Sequence, residues 1–133
     1  MHFTAVEHLG LAAQNPGSLK DWYLSRLDAR LVYQSDTSPP AYFVELPGGL
    51  LIEIYACGFA RKETGDNTLA GWRHLALRVD SLEAARTELA RRGVEFSDAI
   101  KPAGGGGRVL FLKDAEGNLL HLVERPAGSV FAR

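Results

Sequence analysis

The sequence predicts an α+β fold: two tandem β-α-β-β-β units forming a concave mixed sheet with the helices on its outer face. Three observations carry the expectation. His8-Leu9-Gly10-Leu11-Ala12 recurs as His74-Leu75-Ala76-Leu77-Arg78. Each copy is followed by apolar residues at helical spacing. Each half then closes on a matching strand, Gly49-Leu50-Leu51-Ile52-Glu53-Ile54 and Gly117-Asn118-Leu119-Leu120-His121-Leu122. A repeat of this kind sets the architecture before any single element is assigned. The pseudo-repeats cover about residues 3–56 and 70–125. Together they are expected to make one domain of 133 residues, long enough to bury a core without disulfides or structural metals.

The opening strands of the two halves alternate apolar and other residues, the mark of a sheet with one packed face. The first helix is expected to begin near Ser18, with Asp21 three residues on as in a capping box, and with Leu19, Trp22, Tyr23 and Leu27 on its apolar face. The second is expected near Asp80, with Glu83 three later and Leu82, Ala85 and Leu89 on one side. Arg91 and Arg92 suit its last turn, and Gly93 suits the position after it. Strands are then expected at Arg30–Gln34, Tyr42–Leu46 and Leu50–Tyr55, and again at Val94–Ser97, Val109–Lys113 and Asn118–Glu124. Ser38-Pro39-Pro40, Pro47-Gly48-Gly49 and Ala115-Glu116-Gly117 supply the turns between them.

Composition narrows the function. Fifteen basic residues against sixteen acidic ones leave no electrostatic footprint for nucleic acid or an anionic membrane. One cysteine, Cys57, excludes an intrachain disulfide and a cysteine-rich zinc site. No stretch reaches transmembrane length, and the first residues lack the pattern of a secretory signal. The expectation is a cytoplasmic protein acting on small molecules.

Side chains alternate along a strand, so His8 shares a face with Val6 and Gly10, and His74 shares one with Trp72, Ala76 and Arg78. The opposite faces, Leu9 with Leu11 and Leu75 with Leu77, are the seats for the helices. Gly10 and Ala76 leave room beside the imidazoles. Glu53 and His121 stand at one repeat position inside apolar strands, where a carboxylate or imidazole is costly unless paired. Forty-five residues separate His8 from Glu53 and 47 separate His74 from His121. The expected constellation is His8, Glu53, His74 and His121 around one divalent ion: zinc, nickel, cobalt, manganese or iron.

At these residues the chain resembles the vicinal oxygen chelate superfamily, which includes glyoxalase I, extradiol dioxygenases and bleomycin-resistance proteins. Arg73-His74-Leu75-Ala76-Leu77-Arg78-Val79-Asp80 and Phe111-Leu112-Lys113-Asp114-Ala115-Glu116-Gly117-Asn118 carry the likeness. The layout is most similar to glyoxalase I. That resemblance implies metal ligands at His8, Glu53, His74 and the position of His121, where glutamate is usual. It also implies a lyase or isomerase that captures its substrate through two neighbouring oxygens, and a homodimer. Glu53, the one carboxylate of the set, is the expected catalytic base. Tyr55, Trp72 and Arg78 are candidate pocket residues, Arg78 as a partner for a substrate carboxylate or oxyanion. Glu124 falls on the opposite strand face and is expected to be a surface or helix-facing residue rather than the ligand. The Gly104–Gly107 run lacks the Lys-Ser/Thr of a phosphate loop and reads as a loop near the pocket mouth. Two other readings remain open: a metal-free ligand-sequestering protein of the bleomycin-resistance kind, and an extradiol dioxygenase, which would expect a carboxylate at His121. A fosfomycin-type thiol transferase finds no support in the loops after Lys101.

Overall fold

The repeated pattern becomes two repeated units in a computed structural model, which describes residues 2–59 and 63–131. The units are Met1–Lys62 and Glu63–Arg133. In the first, β1 (His8–Ala13), α1 (Pro16–Arg26), β2 (Arg30–Gln34), β3 (Tyr42–Glu45) and β4 (Leu51–Ala56) follow in order. In the second, β5 (His74–Arg78), α2 (Leu82–Arg91), β6 (Lys101–Pro102), β7 (Arg108–Lys113) and β8 (Leu119–Glu124) do the same. Each unit holds one four-stranded sheet, ordered β1-β4-β3-β2 and β5-β8-β7-β6. The opening strand pairs parallel with the closing strand, and the remaining pairs are antiparallel. A parallel pair needs a long crossover, and the helix is part of it.

Alternation along the closing strand decides what faces the helix. In the first unit Ile52 and Ile54 are buried with Leu19 and Tyr23 of α1 and Val44 of β3. In the second, Leu120 and Leu122 are buried with Leu82, Leu89 and Leu110. Burying a leucine or isoleucine fully is worth about 1.5–3 kcal/mol, so these residues hold each sheet to its helix. Glu53 and His121 alternate with them and lie on the other face.

The strands after each helix begin or end within a residue or two of the expected positions, with one exception. The helix starts also differ. Helix α1 begins earlier than Ser18 implies: Asn15 is its cap, the Asn15 Oδ1 accepting from the Ser18 N–H at 3.1 Å, and Pro16 opens the first turn. Proline suits that position because the N–H it lacks has no helical partner there. Helix α2 is capped by Ser81, whose hydroxyl accepts from the Ala84 N–H at 3.2 Å. Glu83 therefore falls at the second helical residue and bonds Arg108 instead of closing a capping box. The other end of α2 matches expectation. Gly93 takes φ +91°, its N–H reaches the Ala90 carbonyl, and the Val94 N–H reaches that of Leu89. That pair of bonds is a Schellman ending.

The exception is Val94–Ser97, which forms no strand. The Val94 N–H closes the helix, so it has none to offer a ladder. Pairing with β7 waits until Lys101 and lasts two residues, because Pro102 carries no N–H and the chain turns at once through the glycines. In that turn Gly105, Gly106 and Gly107 all have positive φ. A Cβ on Gly107 would collide with the Glu124 carbonyl oxygen, so the loop and the end of β8 touch backbone to backbone. Among the described residues no helix is long and apolar enough to cross a membrane.

Candidate functional site

Strand register places one pair of donors in each unit. In the first, His8 lies opposite Leu51 and Gly10 opposite Glu53, which makes His8 and Glu53 diagonal neighbours on one sheet face. In the second, His74 lies opposite Leu119 and Ala76 opposite His121, the same diagonal. Phe43 stands opposite Glu53 and Phe111 opposite His121. Each phenyl ring meets the opening histidine edge-on, at 5.2 Å for His8 and 6.0 Å for His74.

Both opening histidines are oriented through Nδ1. His8 Nδ1 lies 2.9 Å from a Glu7 carboxylate oxygen, and His74 Nδ1 lies 2.7 Å from the Asn67 amide oxygen. An amide oxygen only accepts, so His74 Nδ1 is the donor in this bond and Nε2 takes no part in it. An oxygen acceptor on the far nitrogen is also how ligating histidines are usually held. His8 Nε2 faces Glu53 Oε1 at 3.6 Å, too far for a hydrogen bond. An imidazole and a carboxylate facing each other in this way would suit a divalent ion held by both.

The His74 and His121 rings lie 4.3 Å apart between centroids, tilted by 36°. Burial pushes the His121 imidazole down to about 4, and the neighbouring His74 and Arg125 act in the same direction. His121 is therefore neutral at physiological pH. Its Nδ1 is buried and has no hydrogen-bond partner. Buried polar atoms of this kind are uncommon in folded proteins, and a bound ion is one standard partner for them. The chemistry of each pair, imidazole with carboxylate in the first unit and imidazole with imidazole in the second, is of a kind that divalent transition metals accept.

The structure thus brings His8 to Glu53 and His74 to His121. Among the described residues no group of three or more His, Cys, Asp or Glu side chains is gathered to hold an ion. Two sequence expectations change. The space beside Gly10 is filled by Tyr55, whose ring carbon would lie 3.4 Å from a Cβ there. Trp72 precedes β5 rather than lying in it, and is 95% exposed. Arg78 meets no structural acid among the described residues: its guanidinium donates to the Phe131 carbonyl. Glu124 points to the helix side as expected, accepting from the Leu82 N–H at 2.9 Å and pairing with Arg108.

Sequence reasoning missed Glu7, Asn67, Phe43, Phe111 and Arg125. The phenylalanines had a signal, since each stands ten residues before the closing-strand donor. Asn67 had none: it comes from an irregular loop that only the folded chain brings to His74.

The comparisons agree with this architecture. The family model described as Glyoxalase/Bleomycin resistance protein/Dioxygenase superfamily matches residues 5–122. An uncharacterized protein of Bacillus subtilis, YwkD, is 24% identical over 128 residues, covering 94% of this chain and all of that protein. A glyoxalase family protein from Enterococcus faecalis superposes with a TM-score of 0.77 at 22% identity, over 93% of this chain and 100% of that one. The fosfomycin resistance protein FosX of Listeria monocytogenes, solved with Mn(II) and a sulfate ion, gives 0.67 at 19% identity, over 95% and 94%.

Proposed function

The chain belongs to the Glyoxalase/Bleomycin resistance protein/Dioxygenase superfamily, and from that premise we propose that it is a metal-dependent lyase or isomerase. Its substrate is a small molecule presenting two neighbouring oxygens. The observation that carries the reading is the His121 Nδ1, buried and unpartnered beside a His74 ring already turned by Asn67. His8, Glu53, His74 and His121 are the residues that would hold the ion, in a site completed within one chain or across a homodimer. Manganese in the FosX neighbour supports a divalent ion, while its identity here stays among zinc, nickel, cobalt, manganese and iron. We place the protein in the cytoplasm.

A divalent ion bound there supplies Lewis-acid polarisation of the two substrate oxygens. The chain's residues do the rest. Glu7 and Asn67 hold the imidazoles in one tautomer, and Phe43 and Phe111 wall each pair on the sheet face. Glu53 takes the proton next to the substrate carbonyl, as the one carboxylate in the set. A dioxygenase would draw its single carboxylate from Glu53 as well, so the substrate screen includes catechols.

Elemental analysis of untagged protein tests the reading. Near-stoichiometric metal in the wild type and a marked loss in His121→Ala are expected. No metal in either, even after incubation with each candidate ion, would favour a ligand-sequestering protein. Glu53→Gln is expected to abolish turnover on any substrate found. Full turnover in that variant would remove Glu53 from the role of base.

A further inference from the structure

The sheet face that carries His74 and His121 is cationic. Register places Arg78 opposite Val123, Phe111 opposite His121 and Lys101 opposite Val109, all on this side. Lys113 shares it, and no strand position on this face is a carboxylate. The acidic residues Glu83 and Glu124 meet Arg108 on the helix side instead.

Arg78 and Arg125, the residue that follows β8, are held by neutral groups of the chain itself. Arg125 Nη1 donates to the Gly104 and Gly106 carbonyls, each at 2.6 Å, and its guanidinium lies 3.9 Å over the Phe131 ring. Arg78 donates to the Phe131 carbonyl. Phe131 is therefore bracketed by both arginines. It also rests on Gly105, where a Cβ would approach the ring to 2.5 Å. Among the described residues neither guanidinium meets a carboxylate. Hydrogen bonds to an ionised acceptor are roughly twice as strong as those to a neutral one, so the same donors have more to gain from an anion than from a peptide carbonyl. Arginine's planar fork suits a carboxylate or a phosphate-type group alike.

We propose that Arg78 and Arg125 form a subsite for an anionic group of the substrate, and that Phe131 fills it until that anion displaces it. The ligand chemistry is a carboxylate or a phosphate-type oxyanion. The inference deepens the function proposed above and rests on it for the place of the reacting centre, since the subsite adjoins His74 and His121.

The test uses full-length protein freed of metal with EDTA, so that it does not depend on the metal centre. Amide chemical shifts are followed against inorganic phosphate and, separately, acetate at constant ionic strength. Saturable binding of at least one is expected, with shifts around Arg78, Arg125 and Phe131. Loss of one charge-assisted bond implies roughly tenfold weaker binding in Arg78→Gln and in Arg125→Gln. Phe131→Ala is expected to bind about threefold more tightly, because the competent, uncovered state is more populated. Arg86→Gln, on the exposed side of α2, is expected to bind as the wild type does, and dispersed spectra confirm folding of every variant. Preference for phosphate or for acetate names the anion class. Absence of saturable binding to either probe overturns the subsite, as does full affinity in either arginine variant or equal weakening in Arg86→Gln. Unchanged affinity in Phe131→Ala overturns displacement of Phe131. Any of these results leaves the metal reading to be judged by elemental analysis alone.

Discussion

Asn67 sits outside every strand, yet it decides which nitrogen of His74 is free. Its amide oxygen accepts from Nδ1 at 2.7 Å, so under the proposed function Nε2 is the nitrogen that would meet an ion. Losing such a partner usually costs roughly 10–100-fold in metal affinity. Asn67→Ala is expected to weaken metal binding by that order while His121 stays in place, measured by competition with a chromogenic chelator. Unchanged affinity would mean that the ring is held by its neighbours Phe111 and His121 alone. The contrast between Asn67 and the four predicted donors shows what a sequence exposes. The strand positions of His8, Glu53, His74 and His121 were legible because alternation and the repeat fix them twice over, and their joint hold on one ion is the proposal. Asn67 has neither period nor counterpart, so nothing short of the folded loop reveals it. Tyr55 misled in a different way: a small residue at position 10 implied free space, but a cross-strand neighbour filled it.

Elements were legible in kind and less so at their edges. The end of α2 was visible because Gly93 alone readily adopts the required left-handed turn. Helix α1 ends with Asp28 in that region, at φ +56°, and aspartate gives a weaker signal. The junction of α2 with β7 and β8 carries a consequence for pH. Glu124 is held below its ordinary value of 4.5, first by the Leu82 N–H and then by Arg108. A carboxyl whose folded value lies below its unfolded one stabilises fully above the unfolded value and loses that contribution as pH falls through the folded one. Glu124→Gln is therefore expected to melt below the wild type at pH 7, and the gap to close as the medium is acidified below pH 4.5. A gap of constant size down to about pH 2.5 would remove the carboxylate charge from the account.

At the scale of the whole chain, two units share one plan down to register: opening strand parallel to closing strand, with donors on the same diagonal. Under the proposed function both pairs serve a single ion. A bound ion at a hundredfold excess over its Kd raises stability by about 2.7 kcal/mol. His8→Ala and His74→Ala are each expected to lose most of that increment, and the double variant to lose little more. Additive losses in a thermal-shift series would mean two independent half-sites. Mixing the two single variants extends the test: recovered metal binding would place the pairs on different chains of a homodimer. The twofold plan is legible in the sequence itself, because the repeat is written into spacing. The division into two four-stranded sheets was less so, since strand lists alone do not say where a ladder stops.

The contact between Gly107 and the Glu124 carbonyl bears on how this loop can change by inheritance. Every single-base change that replaces a glycine introduces a side chain with a Cβ, and at Gly107 that atom collides with main chain. At Gly104 a Cβ meets nothing within 4 Å, and the backbone there lies outside the left-handed region. Four identical letters in the sequence thus differ in their freedom to vary. Drift in the segment next to Arg125 is channelled into its first position, while the last is locked to the strand behind it.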